Sequence, residues 1–340
     1  MTPDSHLSGP ARTLVLAAAV VVVLAGMKAA SPILGPLLFS VFLAVIFGML
    51  LHWFMKRGYS RRVSLFLTLA IFIAIIAVFT VVVAGSFLRI LADLPIYREE
   101  LEQSLEMAGP LLSDWGIGSA EIASLSAFIR DSSLGLIGSL LDLAIAAFII
   151  VLTTLFLLWE AGGFSSKIRQ IIGEYRPGDM ERFTGLATKN VEYLIIRLWV
   201  NLAMGVGTAV ILYFIGVKYA IFWGFLAFLL GFVPYIGFWL AIIPPMLLAW
   251  VELGPVAAIL VLVGESVVNL LAEYILFPHM AGRGLALSPA VVFVSLIFWG
   301  WILGGFGVLL AVPLTLTIKM LCELSYSTRW IGVILGPGIE

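Results

Sequence analysis

Residues 219–251 read YAIFWGFLAFLLGFVPYIGFWLAIIPPMLLAWV and contain no Asp, Glu, Lys or Arg. One straight helix of this length would measure about 50 Å, whereas the hydrocarbon core of a bilayer is about 30 Å thick and two full crossings take about 40 residues. Gly231, Pro234 and Gly237 lie near the middle, and proline removes a backbone donor while glycine loosens a helix. The stretch therefore predicts a hairpin of two short helices broken at its centre, with two ordinary short crossings as the alternative.

A second uncharged stretch, residues 284–318, repeats this design. Around its middle lie four glycines, Gly300, Gly304, Gly305 and Gly307. In both stretches a Gly-Phe pair, Gly237-Phe238 or Gly305-Phe306, is followed by a proline, and we count these prolines, Pro244 and Pro313, among the hairpin breaks. Each candidate hairpin also follows a conventional span, at 198–216 and at 255–277.

Together these features resemble an inverted repeat. A unit of one crossing plus one re-entrant hairpin crosses the membrane an odd number of times. The following copy must therefore have the opposite orientation in the membrane. Broken backbone inside a bilayer is tolerated only where it is buried in protein or lines a wet cavity. Inverted repeats with paired broken helices are typical of secondary transporters, whose sites lie near the membrane midplane. The plainer explanation is that glycine and proline are common in membrane helices.

The composition points to lipid as the solvent. Of the 340 residues, 62% are apolar and 11% are charged, with 19 basic against 20 acidic residues. Soluble domains carry about 25% charged residues, so this chain would leave large apolar patches in water. The near-zero net charge argues against a nucleic-acid partner, because neutralising phosphates takes an excess of Lys and Arg. The single Cys322 cannot form an internal disulfide.

Further charge-free gaps, each near the length of a membrane crossing, occur at 29–55, 63–88, 143–159 and 198–217. The apolar stretch 14–27 is a further candidate, which we expect to be a retained helix paired with the second one; a cleaved signal peptide is the alternative. With the two hairpins, these segments predict an all-α polytopic membrane protein with about eight membrane segments.

Charge bias in the loops predicts the orientation. The loop 56–62 (KRGYSRR) has four basic residues and no acid, so it should face the cytoplasm. Residues 89–133 carry three Arg against eight acids and should lie outside, whereas 160–197 bring six basic residues back to the cytoplasm. Both termini are then cytoplasmic, and in a bacterium the chain would lie in the inner membrane.

Two polar segments stand apart from the spans. Residues 94–108 and 181–199 each have the apolar spacing of an amphipathic helix, one external and one cytoplasmic. For the external helix we favour packing on the membrane domain or a neighbouring subunit, with a substrate-capturing lid as the alternative. The chain divides into N-terminal membrane helices (1–88), an external amphipathic segment (89–133), a membrane helix plus cytoplasmic amphipathic segment (134–197), the transport core (198–325) and a C-terminal tail (326–340).

The candidate site residues are the polar side chains inside the core. Glu265, Asn269 and Glu273 are spaced i, i+4, i+8 on one helical face, with Glu265 close to the bilayer centre. A carboxylate there costs several kcal/mol unless it is paired, hydrated or protonated, so it should face the bundle interior and bind a proton or cation. Arg197 and Asn201 open the preceding span as possible partners. The plainer interpretations are an interfacial anchor for Arg197, a snorkelling Glu273, and a Glu265 that only bonds a neighbouring helix.

Enzyme chemistry has little support in the sequence. The three histidines, His6, His52 and His279, lie at or near span ends and form no H-E-x-x-H site, so we predict no metal. The chain has no Gly-Lys dipeptide, which removes a phosphate-binding Walker A loop. We predict no cofactor and no catalytic residue.

The C-terminal half resembles a known family. The runs 231–250 and 277–319, with the Pro234-Tyr235-Ile236-Gly237 break and Ala311-Val312-Pro313, are similar to the signature of the bacterial autoinducer-2 exporter family, also called PerM or TqsA-like permeases. Phe277 and Ser288 stand where family members often have Glu and His. The resemblance implies an inner-membrane permease that forms a homo-oligomer, with a pentamer as the expected size.

The sequence is compatible with three functions. The first is a secondary exporter of a small polar signalling molecule such as autoinducer-2, with Glu265 coupling it to an ion. The second is a sodium/proton antiporter with Glu265 as the shared carboxylate. The third is a non-transporting membrane assembly protein in which the hairpins only pack subunits together.

Overall fold

The computed structural model describes residues 9–114, 145–160, 180–281, 287–324 and 328–336. Within these ranges the secondary structure is helical throughout, without a strand, as the sequence predicts. Parts of the predicted external segment (115–133), of the following membrane helix and of the cytoplasmic segment (161–179) lie outside the described residues.

The described ranges contain twelve α-helices. They are α1 (Gly9–Ala29), α2 (Ser31–Lys56), α3 (Arg61–Asp114), α4 (Ile145–Glu160), α5 (Met180–Ile215), α6 (Ala220–Leu230), α7 (Ile236–Leu253), α8 (Pro255–Leu270), α9 (Phe277–Ala281), α10 (Pro289–Leu303), α11 (Gly305–Leu324) and α12 (Arg329–Leu335). A π-helical turn, Leu271–Leu276, joins α8 to α9.

Six helices are long and apolar enough to cross a membrane: Ser31–Lys56, Arg61–Ser86, Val191–Ile215, Ile236–Leu253, Pro255–Met280 and Gly305–Glu323. Helices α1, α4, α6 and α10 contribute shorter apolar stretches. The predicted class, an all-α polytopic membrane protein, is confirmed, whereas the predicted count of eight segments is not.

Packing contacts orient the helices between two ends of the bundle. We call the end with the α2–α3 turn (residues 57–60) the basic-loop end, and the end where Asp93 of α3 lies the Asp93 end. Gly35 of α2 packs on Phe306, and Phe42, two turns later, packs with Leu310. Helices α2 and α11 therefore run in the same direction, and α11 finishes at the basic-loop end.

Helices α5 and α8 run antiparallel. Gly264 packs on Ile211 while Gly207 packs on Val268, so sequence positions increase in opposite directions along the contact. The Tyr219 hydroxyl, shortly after α5, donates to Asp93, so α5 finishes at the Asp93 end and α8 begins there. The π-helical turn then lies beside the first half of the α5 span.

Helices α6 and α7 form the first predicted hairpin. Its two ends are joined at the Asp93 end by an ion pair in which Lys218 Nζ lies 2.6 Å from Glu252 Oε1. The hydrogen bond from Lys218 to Glu252 raises the pKa of the lysine above its ordinary value, so the ammonium stays charged at physiological pH. The tip of the hairpin packs Gly231 against Asn201, near the middle of the α5 span. The hairpin thus enters the bundle to about half the depth of α5 and returns.

Helices α10 and α11 form the second hairpin, and Gly304, with φ of 63°, separates them. Its tip lies deeper than the first one, because Phe306 packs on Gly35 in the second turn of α2 and Lys28 stacks over the Trp301 ring at 4.3 Å. The two hairpins therefore have the same plan but unequal depth.

Three predicted hairpin breaks do not interrupt a helix. Pro244 lies inside α7 and Pro313 inside α11, and both helices continue through them. Gly300 lies in the last turn of α10. Neighbouring helices and local adjustments satisfy the freed carbonyls of prolines in membrane helices, so these residues alone do not end a helix. Helix α3 likewise runs through residues 94–108, so this predicted helix is the continuation of a longer one.

Candidate solute cavity

A cavity of about 610 Å³ lies in the basic-loop half of the bundle. Its walls come from α5, the tip of the first hairpin, α7, the α8–α9 region, α10 and α11. Its lining includes Arg197, Gly231, Tyr235, Trp239, Asn269 and Glu273. The tip of the first hairpin forms the wall of the cavity that faces the Asp93 end. Of the candidate site residues, this cavity brings together Arg197, Asn269 and Glu273 and leaves out Asn201 and Glu265.

Arg197 connects three parts of the cavity wall. Its Nη1 lies 2.8 Å from Glu273 Oε1 and donates to Oε2 at 2.9 Å, and its Nη2 donates to the carbonyl of Gly231. The guanidinium carbon also lies 5.7 Å from the centre of the Phe277 ring. Gly231 follows α6 directly and Glu273 lies in the π-helical turn, so Arg197 joins the hairpin tip to that turn.

This contact bears on two plainer interpretations of the sequence. Arg197 is 6% exposed, so it is a buried residue of the bundle and not an interfacial anchor. The carboxylate of Glu273 is bonded to Arg197, which favours an internal ion pair over a snorkelling side chain. The two side chains lie 76 positions apart in sequence, so no local pattern could reveal their pairing.

The π-helical turn contains Glu273. A π-helical turn adds a residue to the turn and changes the direction of the side chains that follow; such turns are frequent at functional sites. The sequence placed Glu265, Asn269 and Glu273 on one face of a regular helix, but the register changes between Asn269 and Glu273. Asn269 and Glu273 still line the cavity together.

Tyr235 forms the strained part of the hairpin tip. Its backbone has φ of 65° and ψ of −52°, and the Ile236 N–H donates to the Pro234 carbonyl at 2.7 Å. This geometry is the rare γ-turn with positive φ, which side chains other than glycine seldom adopt. Tyr235 is 55% exposed and lines the cavity, as does the half-exposed Trp239 of α7.

Glu265 occupies a separate position. It is 3% exposed, and its Oε1 has no hydrogen-bond partner among the described residues. It lies eight positions before Glu273, which corresponds to about 12 Å along the helix axis. One turn before it, Val261 belongs to an apolar cluster with Leu212 and Ile242. Glu265 is therefore buried inside the bundle, as predicted for a mid-membrane carboxylate, but away from the described cavity.

Asn201 lies behind the tip of the hairpin. It is fully buried against Gly231, and both its amide atoms lack partners among the described residues, as does Arg197 Nε. Buried polar groups in native proteins are nearly always satisfied, so this polar pair is a place for ordered water or for a polar group of a ligand. In the described ranges, no group of His, Cys, Asp or Glu side chains could hold a metal ion.

Apolar helices that enclose a polar cavity at a broken hairpin define a membrane transporter. The chain belongs to the AI-2E family transporter family, whose pattern matches residues 17–326. It is 31% identical over 330 residues to the AI-2 transport protein TqsA of Escherichia coli (strain K12), covering 95% of each chain. It is 31% identical to YhhT of the same organism (99% of this chain, 97% of YhhT) and 32% identical to a protein of Haemophilus influenzae (96% of each), both also named as transport proteins.

These comparisons support the transporter class over a non-transporting assembly protein, and they agree with the prediction that the chain is not an enzyme. The predicted family resemblance is confirmed. The protein is therefore a multi-pass membrane transporter.

Proposed function

We propose that this transporter exports a small uncharged polar solute of the autoinducer-2 type across the bacterial inner membrane. The observation that carries the proposal is the bridge by which Arg197 holds both Glu273 and the Gly231 carbonyl inside the cavity. The name of the Escherichia coli relative TqsA supports autoinducer-2 as the solute.

The charges of the cavity favour an uncharged solute. Arg197 and Glu273 compensate each other, so a solute with a net charge would be buried without a counter-ion at a cost of several kcal/mol. Their hydrogen-bonding atoms and the Asn269 amide can bind hydroxyl and carbonyl groups, while the Tyr235 and Trp239 rings cover an apolar face. A volume of about 610 Å³ accommodates a small molecule.

The same bridge gives a mechanism for alternating access. A solute hydroxyl or carbonyl that accepts a hydrogen bond from Arg197 competes with the Gly231 carbonyl for the same donor. Losing that bond frees the tip of the first hairpin, which closes the cavity toward the Asp93 end. If the basic-loop end is cytoplasmic, as charge bias predicts, the structure is in the state that loads solute from the cytoplasm.

Flux of labelled autoinducer-2 into or out of proteoliposomes tests this proposal. The Arg197→Gln and Glu273→Gln variants should each reduce the initial rate at least about tenfold, because each removes a charge-assisted bond in the cavity. Lys319→Gln is the charge-matched control, since neither Lys319 nor its ion-pair partner Glu323 lines the cavity. Wild-type rates in the Arg197→Gln variant would show that solute does not use this cavity, and the absence of flux in the wild type would exclude autoinducer-2.

A sodium/proton antiporter is the second candidate function, and the burial of Glu265 favours it. A carboxylate that is buried in a membrane bundle, with an oxygen lacking a partner among the described residues, is a candidate proton or cation site. The measurement is the collapse of a pH gradient in inside-out vesicles when sodium is added. Glu265→Gln should abolish the response, while Glu192→Gln, which changes an exposed carboxylate of α5, should not. A wild-type protein without a sodium response would exclude this function.

A further inference from the structure

Helix α12 (Arg329–Leu335) folds back along the end of α11. At its start, the Thr328 hydroxyl donates to the Cys322 carbonyl at 2.9 Å. In its middle, Gly332 packs against the Glu323 side chain, and at its end Leu335 packs on the cluster that contains Leu316. Helix α12 therefore lies beside the last two turns of α11.

This position puts α12 beside the end of the α11 candidate span. The α11 candidate span is Gly305–Glu323, and Leu316 lies about 10 Å inside its end. Amphipathic helices that lie in the membrane interface bury their apolar face about 5–10 Å into the boundary between headgroups and acyl chains. With the end of the α11 span at the membrane boundary, the outward face of α12 would lie at this depth.

The outward face has the composition of an interfacial surface. Trp330, Val333 and Ile334 are 62%, 56% and 65% exposed, and Arg329 is exposed beside them. Tryptophan favours the interface, and an arginine there attracts anionic headgroups. The opposite face, with Gly332 and Leu335, is packed on the protein.

We propose that Arg329, Trp330, Val333 and Ile334 form a lipid-binding surface that lies in the headgroup region of the leaflet at the basic-loop end. The opposite face of α12 reaches the cavity wall, because the Ser288 N–H donates to the Leu335 carbonyl at 3.2 Å and Leu287, which packs with Leu335, lines the cavity. Helix α12 is thus linked to the start of α10. The proposal does not depend on which solute is transported.

The test uses the full-length protein in liposomes of phosphatidylcholine and phosphatidylglycerol. Val333→Cys and Ile334→Cys are made separately in a Cys322→Ser background and labelled with a polarity-sensitive fluorophore. Arg62→Cys, at an exposed position of the first turn of α3 at the same end, is the matched control. Quenching is measured with lipids that carry a spin label near the headgroup or near the chain end, and with aqueous iodide.

Labels at 333 and 334 should be quenched most by the spin label near the headgroup, and iodide should quench them about fivefold less than the label at 62. Adding Trp330→Ser should increase their quenching by iodide. Iodide access equal to that at 62 would overturn the proposal, because the face would then lie in water. Protection from both iodide and lipid quenchers would also overturn it, because the face would then be covered by protein, such as a second copy of the chain.

Discussion

Tyr235 adopts a backbone conformation that glycine would adopt with less strain. Its positive φ costs about 1–3 kcal/mol relative to a relaxed residue, and such strain persists only where the surroundings hold it in place. Here the surroundings are the tip of the hairpin, held by Arg197 through Gly231. Strain at this point lowers the free energy needed to move the tip, because any rearrangement of the γ-turn releases it.

The Tyr235→Gly variant separates strain from packing. Glycine removes the steric cost and loses some entropy on folding, so we expect the free energy of unfolding to rise by roughly 1 kcal/mol. We also expect slower solute flux, because the ring leaves the cavity and the closed tip becomes more stable. Tyr235→Phe, which keeps both ring and strain, is the control. A glycine variant that is less stable than the wild type and transports normally would contradict the role of strain.

At the scale of elements, a glycine on the returning helix makes each hairpin possible. A Cβ on Gly237 would collide with the Leu230 carbonyl, and a Cβ on Gly307 would collide with the Trp299 carbonyl. In each case the first turn of the second helix packs directly on backbone at the end of the first helix. The structural counterpart of Gly237 is therefore Gly307, and not the Gly305 that the Gly-Phe pattern paired with it.

Alanine at these two positions should loosen the tips. We expect Gly237→Ala and Gly307→Ala each to destabilise the protein by about 1–3 kcal/mol, because the backbone of the preceding helix must move to admit a methyl group. Gly305→Ala is the control, since a methyl group at this position would have no neighbouring atom within 4 Å. The readout is the unfolding midpoint in detergent. Equal midpoints for all three variants would show that the tips are not closely packed.

The sequence predicts the hairpins better than it predicts the cavity. Glycine and proline in the middle of an uncharged stretch of 33 residues interrupt the helix there. Accordingly, α6 ends before Gly231 and α7 begins after Tyr235. The pairing of Arg197 with Glu273 depends on the antiparallel contact of α5 and α8, and on a π-helical turn. Neither feature can be deduced from the spacing of residues in the sequence. For this reason the sequence pattern grouped Glu273 with Glu265 on one helical face.

At the scale of the whole molecule, the charge clusters fall at opposite ends. The basic α2–α3 loop lies at the end where α11 finishes, and Asp93 lies at the other end, where its Oδ2 accepts a hydrogen bond from Tyr219 at 2.6 Å. This relative placement agrees with the loops that charge bias puts on opposite sides, while the membrane side of each end stays a prediction, as does the predicted homo-oligomer. Native mass spectrometry of the detergent-extracted protein would count the subunits.

The side of the membrane to which the cavity opens can be measured directly. In a Cys322→Ser background, Val292→Cys lies in the cavity, Arg62→Cys at the basic-loop end and Ala92→Cys beside Asp93. With the basic-loop end in the cytoplasm, a membrane-impermeant maleimide should label the first two variants in inside-out vesicles and the third in intact cells. Autoinducer-2 should slow labelling at 292 alone, because only that position lies beside the bound solute. If the Val292→Cys variant instead reacts from the same side as the Ala92→Cys variant, the cavity opens toward the Asp93 end and the proposed loading of an exported solute is reversed.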